Sequence, residues 1–99
     1  MGALVDFDVK RTEKIKEPED MNVVLLNDNY TSMDFVVDIL VLIFHKSEAE
    51  AERVMMNVHR EGRGVAGAYS LDIARTKVSQ VHSLAEQNDF PLRCVIEPL

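Results

Sequence analysis

Ten residues, Phe35 to Phe44, carry a single charge, on Asp38. They follow Thr31-Ser32-Met33-Asp34, a hydroxyl at the cap with an acid three residues on, and read as a helix running to about Phe44. The longest unbroken apolar run, Ile39 to Phe44, falls far short of the roughly 20 residues a membrane span needs. Such a helix has to be buried in a water-soluble core. A surface helix ordinarily shows one apolar stripe, but this one is apolar nearly all round, with Asp34 and Asp38 marking a narrow wet edge. A chain of 99 residues builds one modest core, which cannot receive every side of it. The surplus apolar surface points to a ligand or partner; an unusual core or a contact between two copies would also absorb it.

The remaining elements arrange themselves around that helix. Residues 1–20 hold six acids and four bases, few large apolar side chains, and Pro18. They read as a flexible extension, because so little apolar surface cannot offset the entropy of ordering it. The folded domain is expected over residues 21–99. Met21 to Leu26 is a short apolar run closed by Asn27-Asp28-Asn29, a strand followed by turn chemistry. Ser47-Glu48-Ala49-Glu50 is a capping box. Ala51, Val54, Met55 and Val58 continue it at helical spacing, and Gly62 and Gly64 end the helix. Val65 to Tyr69 reads as a second strand. A third helix, about Leu71 to Asn88, carries Ala74, Val78, Val81 and Ala85 on one face, and Leu92 to Glu97 is the last strand. The order β-α-α-β-α-β predicts an α+β domain: a three-stranded, mainly antiparallel sheet packed against three helices.

Charge and composition exclude several functions. The net charge of -6 argues against nucleic acid, which requires clustered Lys and Arg, and against an anionic membrane surface. Met1 to Val5 is too short and too soon acidic for a signal peptide. Cys94, the one cysteine, permits no intrachain disulfide, fits a reducing compartment, and reads as a strand residue rather than a reactive thiol. None of His45, His59 and His82 has a second His or Cys at metal spacing. His82 falls on the polar face of the third helix and is expected to be solvated, whereas His45 reads as a helix-end residue. No Gly-x-Ser-x-Gly elbow or Cys-His signature appears, and Gly62-Arg63-Gly64 lacks the features of a phosphate loop. No apparatus for hydrolase or transferase chemistry is visible, and no cofactor or metal is expected.

Two readings of Asn27-Asp28-Asn29 compete. The bland one, favoured by composition alone, is an Asx turn. The functional one has the loop converge with His59, which follows Met55, Met56 and Val58, and with the spare face of the first helix. A carboxylate and neutral acceptors beside an apolar hole suit a ligand with an ammonium head and an apolar side chain. A protein's first residue is such a ligand, its α-amine (pKa about 7.7–8.0) still largely protonated near neutral pH.

Four separated segments then carry a resemblance. Leu25-Leu26-Asn27-Asp28-Asn29-Tyr30-Thr31-Ser32-Met33-Asp34-Phe35-Val36 resembles the signature segment of ClpS, the bacterial adaptor family of the N-degron pathway. Met55-Met56-Asn57-Val58-His59 with Gly62, then Ala74-Arg75-Thr76-Lys77, then Phe90-Pro91-Leu92, match in order and spacing, so that the resemblance covers about residues 21–97. It implies a cytoplasmic, monomeric, non-enzymatic adaptor. Such a protein binds substrates that begin with Leu, Phe, Tyr or Trp and hands them to the N-terminal domain of ClpA, the unfoldase of the ClpAP protease. It also implies roles: Asn27, Asp28, Asn29 and His59 for the α-amino group and following backbone, with Thr31, Met33, Val36, Met55, Val58 and Leu92 lining the side-chain pocket. Asp72 and Lys77 would meet ClpA, and residues 1–20 would serve delivery. Three positions depart from the family pattern. Asn29 stands where a second Asp is usual, Asp72 where Glu is common, and Arg75 where Glu is usual, reversing a charge beside the implied ClpA surface.

Two other functions fit the sequence less well. The fold resembles the carboxy-terminal domain of a ribosomal stalk protein, but a factor-docking module of that kind calls for exposed lysines on the helices, and the first helix has none. A small enzyme would need a nucleophile with a base in reach, and no such pair shows.

Overall fold

The computed structural model describes residues 20–99; the expected extension lies outside them except for Asp20. The elements are β1 (Met21–Leu26), α1 (Met33–Leu42), α2 (Glu48–Glu61), β2 (Arg63–Tyr69), α3 (Leu71–Gln87) and β3 (Arg93–Pro98). The order β-α-α-β-α-β is the one expected. The sheet runs β2-β1-β3, with both neighbours antiparallel to β1. As the central strand, β1 is apolar throughout its middle: Val23, Val24 and Leu25 are all fully buried. Val23 and Leu25 join the main core, while Val24 lies between Val65 and Val95 in the ladder.

Local chemistry sets each boundary. The Ser32 side chain accepts from the Phe35 amide to start α1, and Ser47 accepts from the Glu50 amide to start α2. Helix α1 stops at Leu42, two residues before the expected Phe44. The chain then turns through His45 at a φ of 58°, and the Ile43 carbonyl is taken by Lys77 Nζ at 2.7 Å. Helix α2 ends on Gly62 at φ 88°, a left-handed cap that costs a glycine little.

Gly64 does different work from the helix-ending role expected of it. It lies inside β2, which begins at Arg63 rather than Val65, and it pairs with Leu25. A Cβ there would stand 2.7 Å from Val58 Cγ2 and 3.2 Å from the Val54 carbonyl oxygen. Gly64 thus lets α2 lie close against the sheet, which brings α2 to the β1–α1 loop.

The core is filled by Phe35, Val36, Ile39, Leu40, Ile43 and Phe44 from α1 and its end, by Ala51, Val54 and Val58 from α2, and by Ala74, Val81 and Ala85 from α3. Phe35 meets Phe90 with ring centroids 4.8 Å apart. The surplus apolar surface of α1 is present: Val37 and Val41 are only half-buried, and Leu42 is 63% exposed.

The expectation for His82 also fails. His82 is not simply solvated: it is half-buried, and its Nε2 accepts the Cys94 backbone N–H at 3.1 Å. Cys94 lies on β3, an edge strand whose outward amides have no partner strand, and His82 supplies the acceptor. Burial, then the nearby Arg93 charge, hold the His82 pKa below its ordinary value. Cys94 is a strand residue as expected, and it is buried, with its thiol pushed up to about 12 by burial.

Candidate functional site

The β1–α1 loop, the start of α1 and the last turns of α2 enclose a cavity of about 260 Å³. Asn27, Asp28, Asn29 and Thr31 line it from the loop, Met33 and Val36 from α1, and Met55, Val58 and His59 from α2. Its floor is apolar, since Val36 and Val58 are buried; its rim is polar, since Asn27, Asn29 and His59 are exposed. Larger hollows of about 590–750 Å³ run along α3, but they are open grooves.

The loop is held from both sides. The Asn27 amide donates to the Gly62 carbonyl at 3.0 Å, and the Gly62 amide donates to the Val58 carbonyl at 3.0 Å. These two bonds join the start of the loop to the turn of α2 that carries Val58 and His59. Asp28 then folds the loop on itself. Its Oδ1 accepts the Tyr30 and Thr31 amides at 2.8 and 2.7 Å, and its Oδ2 accepts the Thr31 hydroxyl at 2.7 Å. Partial burial pushes the Asp28 carboxyl up, but these hydrogen bonds outweigh it and leave the pKa below its ordinary value. Asp28 is thus an Asx-turn residue that also keeps a fixed negative charge at the cavity. A preformed apolar hollow with a few polar groups converging on its rim suits a small amphiphilic ligand.

Nine of the residues named from the sequence meet at this cavity. Leu92 does not. It is buried in the core and lines the groove between α3 and β3 together with Phe90 and Arg93. Asp72 and Lys77 lie on α3, away from the cavity. Asp72 is exposed in the first turn, whereas Lys77 is half-buried, with Nζ bonded to the Ile43 carbonyl and 5.5 Å from the centroid of the Tyr69 ring. That structural duty of Lys77 gives no signal in the sequence, because the spacing of 34 residues to its partner follows from the fold alone. Tyr30, on the cavity loop, is 78% exposed and does not line the cavity. Among the described residues there is no cluster of His, Cys, Asp and Glu fit to hold a metal ion, and no helix is long and apolar enough to cross a membrane.

Comparison with known proteins agrees on one family. Residues 16–95 match the family described as ATP-dependent Clp protease adaptor protein ClpS. The ATP-dependent Clp protease adapter protein ClpS of Syntrophus aciditrophicus is 51% identical over 92 residues, covering 93% of this chain and 86% of that protein. Its counterpart in Wolinella succinogenes is 52% identical over 96 residues, covering 97% and 94%. Among solved structures, Agrobacterium tumefaciens ClpS2 bound to L-phenylalaninamide superposes with a TM-score of 0.80 at 40% identity, covering 84% of this chain and all of that one. On its sequence and its fold, this chain belongs to the ClpS family of Clp protease adaptors.

Proposed function

We propose that the cavity holds the first residue of a substrate protein, with the free α-ammonium at the polar rim and the side chain on the apolar floor. The observation that carries this is the convergence of Asn27, the Asp28 loop and His59 on the rim of a hollow floored by Val36, Met55 and Val58. Asn27 and His59 present hydrogen-bond acceptors to the ammonium. Asp28, still ionised because its own bonds favour the charged form, adds attraction from the loop. L-phenylalaninamide, bound by the related ClpS2, has the same chemistry: a free amine, an apolar side chain and an amide where a chain would continue.

The preferred first residues are Leu, Phe, Tyr and Trp. The captured substrate passes to the N-terminal domain of ClpA, with Asp72 and Lys77 on the contact surface and residues 1–20 serving delivery. Lys77 is a held charge rather than a free one, because its ammonium is tied to the end of α1. Asp72 is therefore the more adaptable member of the pair. No step of this function makes or breaks a bond.

The test is a titration of short peptides that differ only in their first residue. Leu carries three more carbons than Ala, worth about 2.4 kcal/mol when buried, so a Leu-headed peptide should bind roughly 50-fold more tightly. Equal affinities would remove the cavity from this role.

A further inference from the structure

The apolar surplus of α1 extends past the cavity. Beyond Met55 the seam between α1 and α2 opens into a second groove. Val37, Val41, Leu42 and Met55 form its floor, with Asp34 and Asp38 along one helix and Glu48 and Glu52 along the other. The ion pairs among the described residues, Arg53–Glu50 and Arg63–Glu97, leave these four carboxylates out. An apolar floor between two acidic rims fits an apolar side chain flanked by cations, whose long stems can lie along the floor while their heads reach the rim.

We propose that this groove receives the chain's own stretch Lys10-Arg11-Thr12-Glu13-Lys14-Ile15-Lys16, docking part of the amino-terminal extension on the core. The stretch has four bases against one acid, opposite in sign to the groove, and a large apolar residue, Ile15, between two lysines. In an extended chain Ile15 can face the floor while Lys14 and Lys16 bend to the carboxylates on either side. The tether also reaches. Met21, the first residue of β1, pairs with Tyr69, and the Tyr69 ring lies 6.2 Å from that of Phe44, just past the end of α1. The chain thus enters the sheet beside the Leu42–Glu48 end of the groove. The steps from Lys16 to Met21 span at most about 17 Å when extended.

Surface ion pairs contribute only about 0.2–1 kcal/mol each. Attachment to the same molecule nevertheless gives the segment an effective concentration on the order of millimolar, so weak contacts suffice for partial, exchanging occupancy. The groove and the cavity share Met55, so a segment docked in the groove would lie beside the peptide site. This inference does not depend on what the cavity binds.

The test uses the full chain with Thr12→Cys carrying a nitroxide. Cys94 stays unlabelled because it is buried and its thiol is held protonated. At low salt the label should selectively broaden the methyl signals of Val37, Val41 and Leu42. That broadening should be lost in Asp38→Lys/Glu52→Lys, whose own spectrum reports folding, and in the unmutated chain at about 1 M salt, where the screening length falls to about 3 Å. The proposal is overturned if the groove signals are unaffected, if they broaden no more than Val65 and Val95 on the bare sheet face, or if charge reversal and salt leave the effect unchanged. Broadening that appears only between a labelled and an unlabelled chain would assign the groove to a second copy and also overturn it.

Discussion

Met33→Ala separates a gate from a core residue. Met33 lines the cavity, is 43% exposed, and belongs to neither the buried cluster nor the side chains packed against it. Truncating a fully buried Met costs about 2–5 kcal/mol. With much of its surface already in water and little packing to lose, Met33 should cost no more than about 1 kcal/mol, within the range of a mild point mutation. The effect on selection should be larger. Leu and Ile bury similar apolar area, so hydrophobicity alone barely distinguishes them. Ile, however, branches at Cβ and is stiff at χ1, so its extra methyl meets whatever stands at the cavity mouth. A methyl forced against a packed wall costs about 1–3 kcal/mol, or about 5- to 150-fold in affinity. The unmutated protein should therefore prefer Leu-headed over Ile-headed peptides by a factor in that range. Met33→Ala should bring the two within about threefold while keeping Leu binding. Fluorescence anisotropy with Leu-, Phe-, Ile- and Val-headed peptides, together with a melting curve, reads both effects. Unchanged discrimination against Ile and Val, or uniform weakening with a large drop in melting temperature, would refute the argument.

Two further perturbations follow from the same geometry. His59 is exposed at the cavity rim, so His59→Ala should leave thermal stability within about 0.5 kcal/mol while peptide affinity falls about tenfold; a destabilised protein with normal affinity would make His59 a packing residue. His82 binds its proton less readily in the folded chain than its ordinary 6.5, so the unfolded state holds more protons as pH falls through that value. The stability contributed by neutral His82 should be fully present above pH 6.5 and lost on acidification toward its lower folded pKa. His82→Gln, which keeps an acceptor for the Cys94 amide without titrating, should flatten the denaturation midpoint over that window; parallel pH profiles for the two proteins would exclude the mechanism.

The sequence shows the element order clearly because its signals are local. The cap at Ser47 and the left-handed Gly62 each depend on neighbours a few residues away and lie where their chemistry places them, while the cap of α1 falls on Ser32, one residue after the Thr31 that its spacing to Asp34 suggests. The surplus apolar face of α1 is legible for the same reason: ten residues with one charge cannot all turn inward. What the sequence conceals depends on contacts distant along the chain. His82 looks solvated on the face of α3, and only the return of β3 as an edge strand gives it the Cys94 amide to accept. Lys77 is marked in the sequence only as an implied ClpA contact, and the fold alone brings the Ile43 carbonyl to its ammonium. Gly64 reads as a second helix stop, but its role comes from Val58 and Val54 pressing toward β2. At the site, the loop and helix residues converge on one cavity, and the resemblance to a family, rather than spacing alone, selects them. Leu92, also implied by that resemblance, packs in the core instead.

The most direct measurement of the central claim compares one Leu-headed peptide with its amino-acetylated form by calorimetry. Acetylation leaves the side chain intact and removes the ammonium that Asn27, His59 and the Asp28 loop are arranged to receive. Hydrogen bonds to a charged group contribute about 1.5–3 kcal/mol, so the acetylated peptide should bind at least about tenfold more weakly. Equal affinity for the two peptides would mean that the cavity does not read a free amino-terminus.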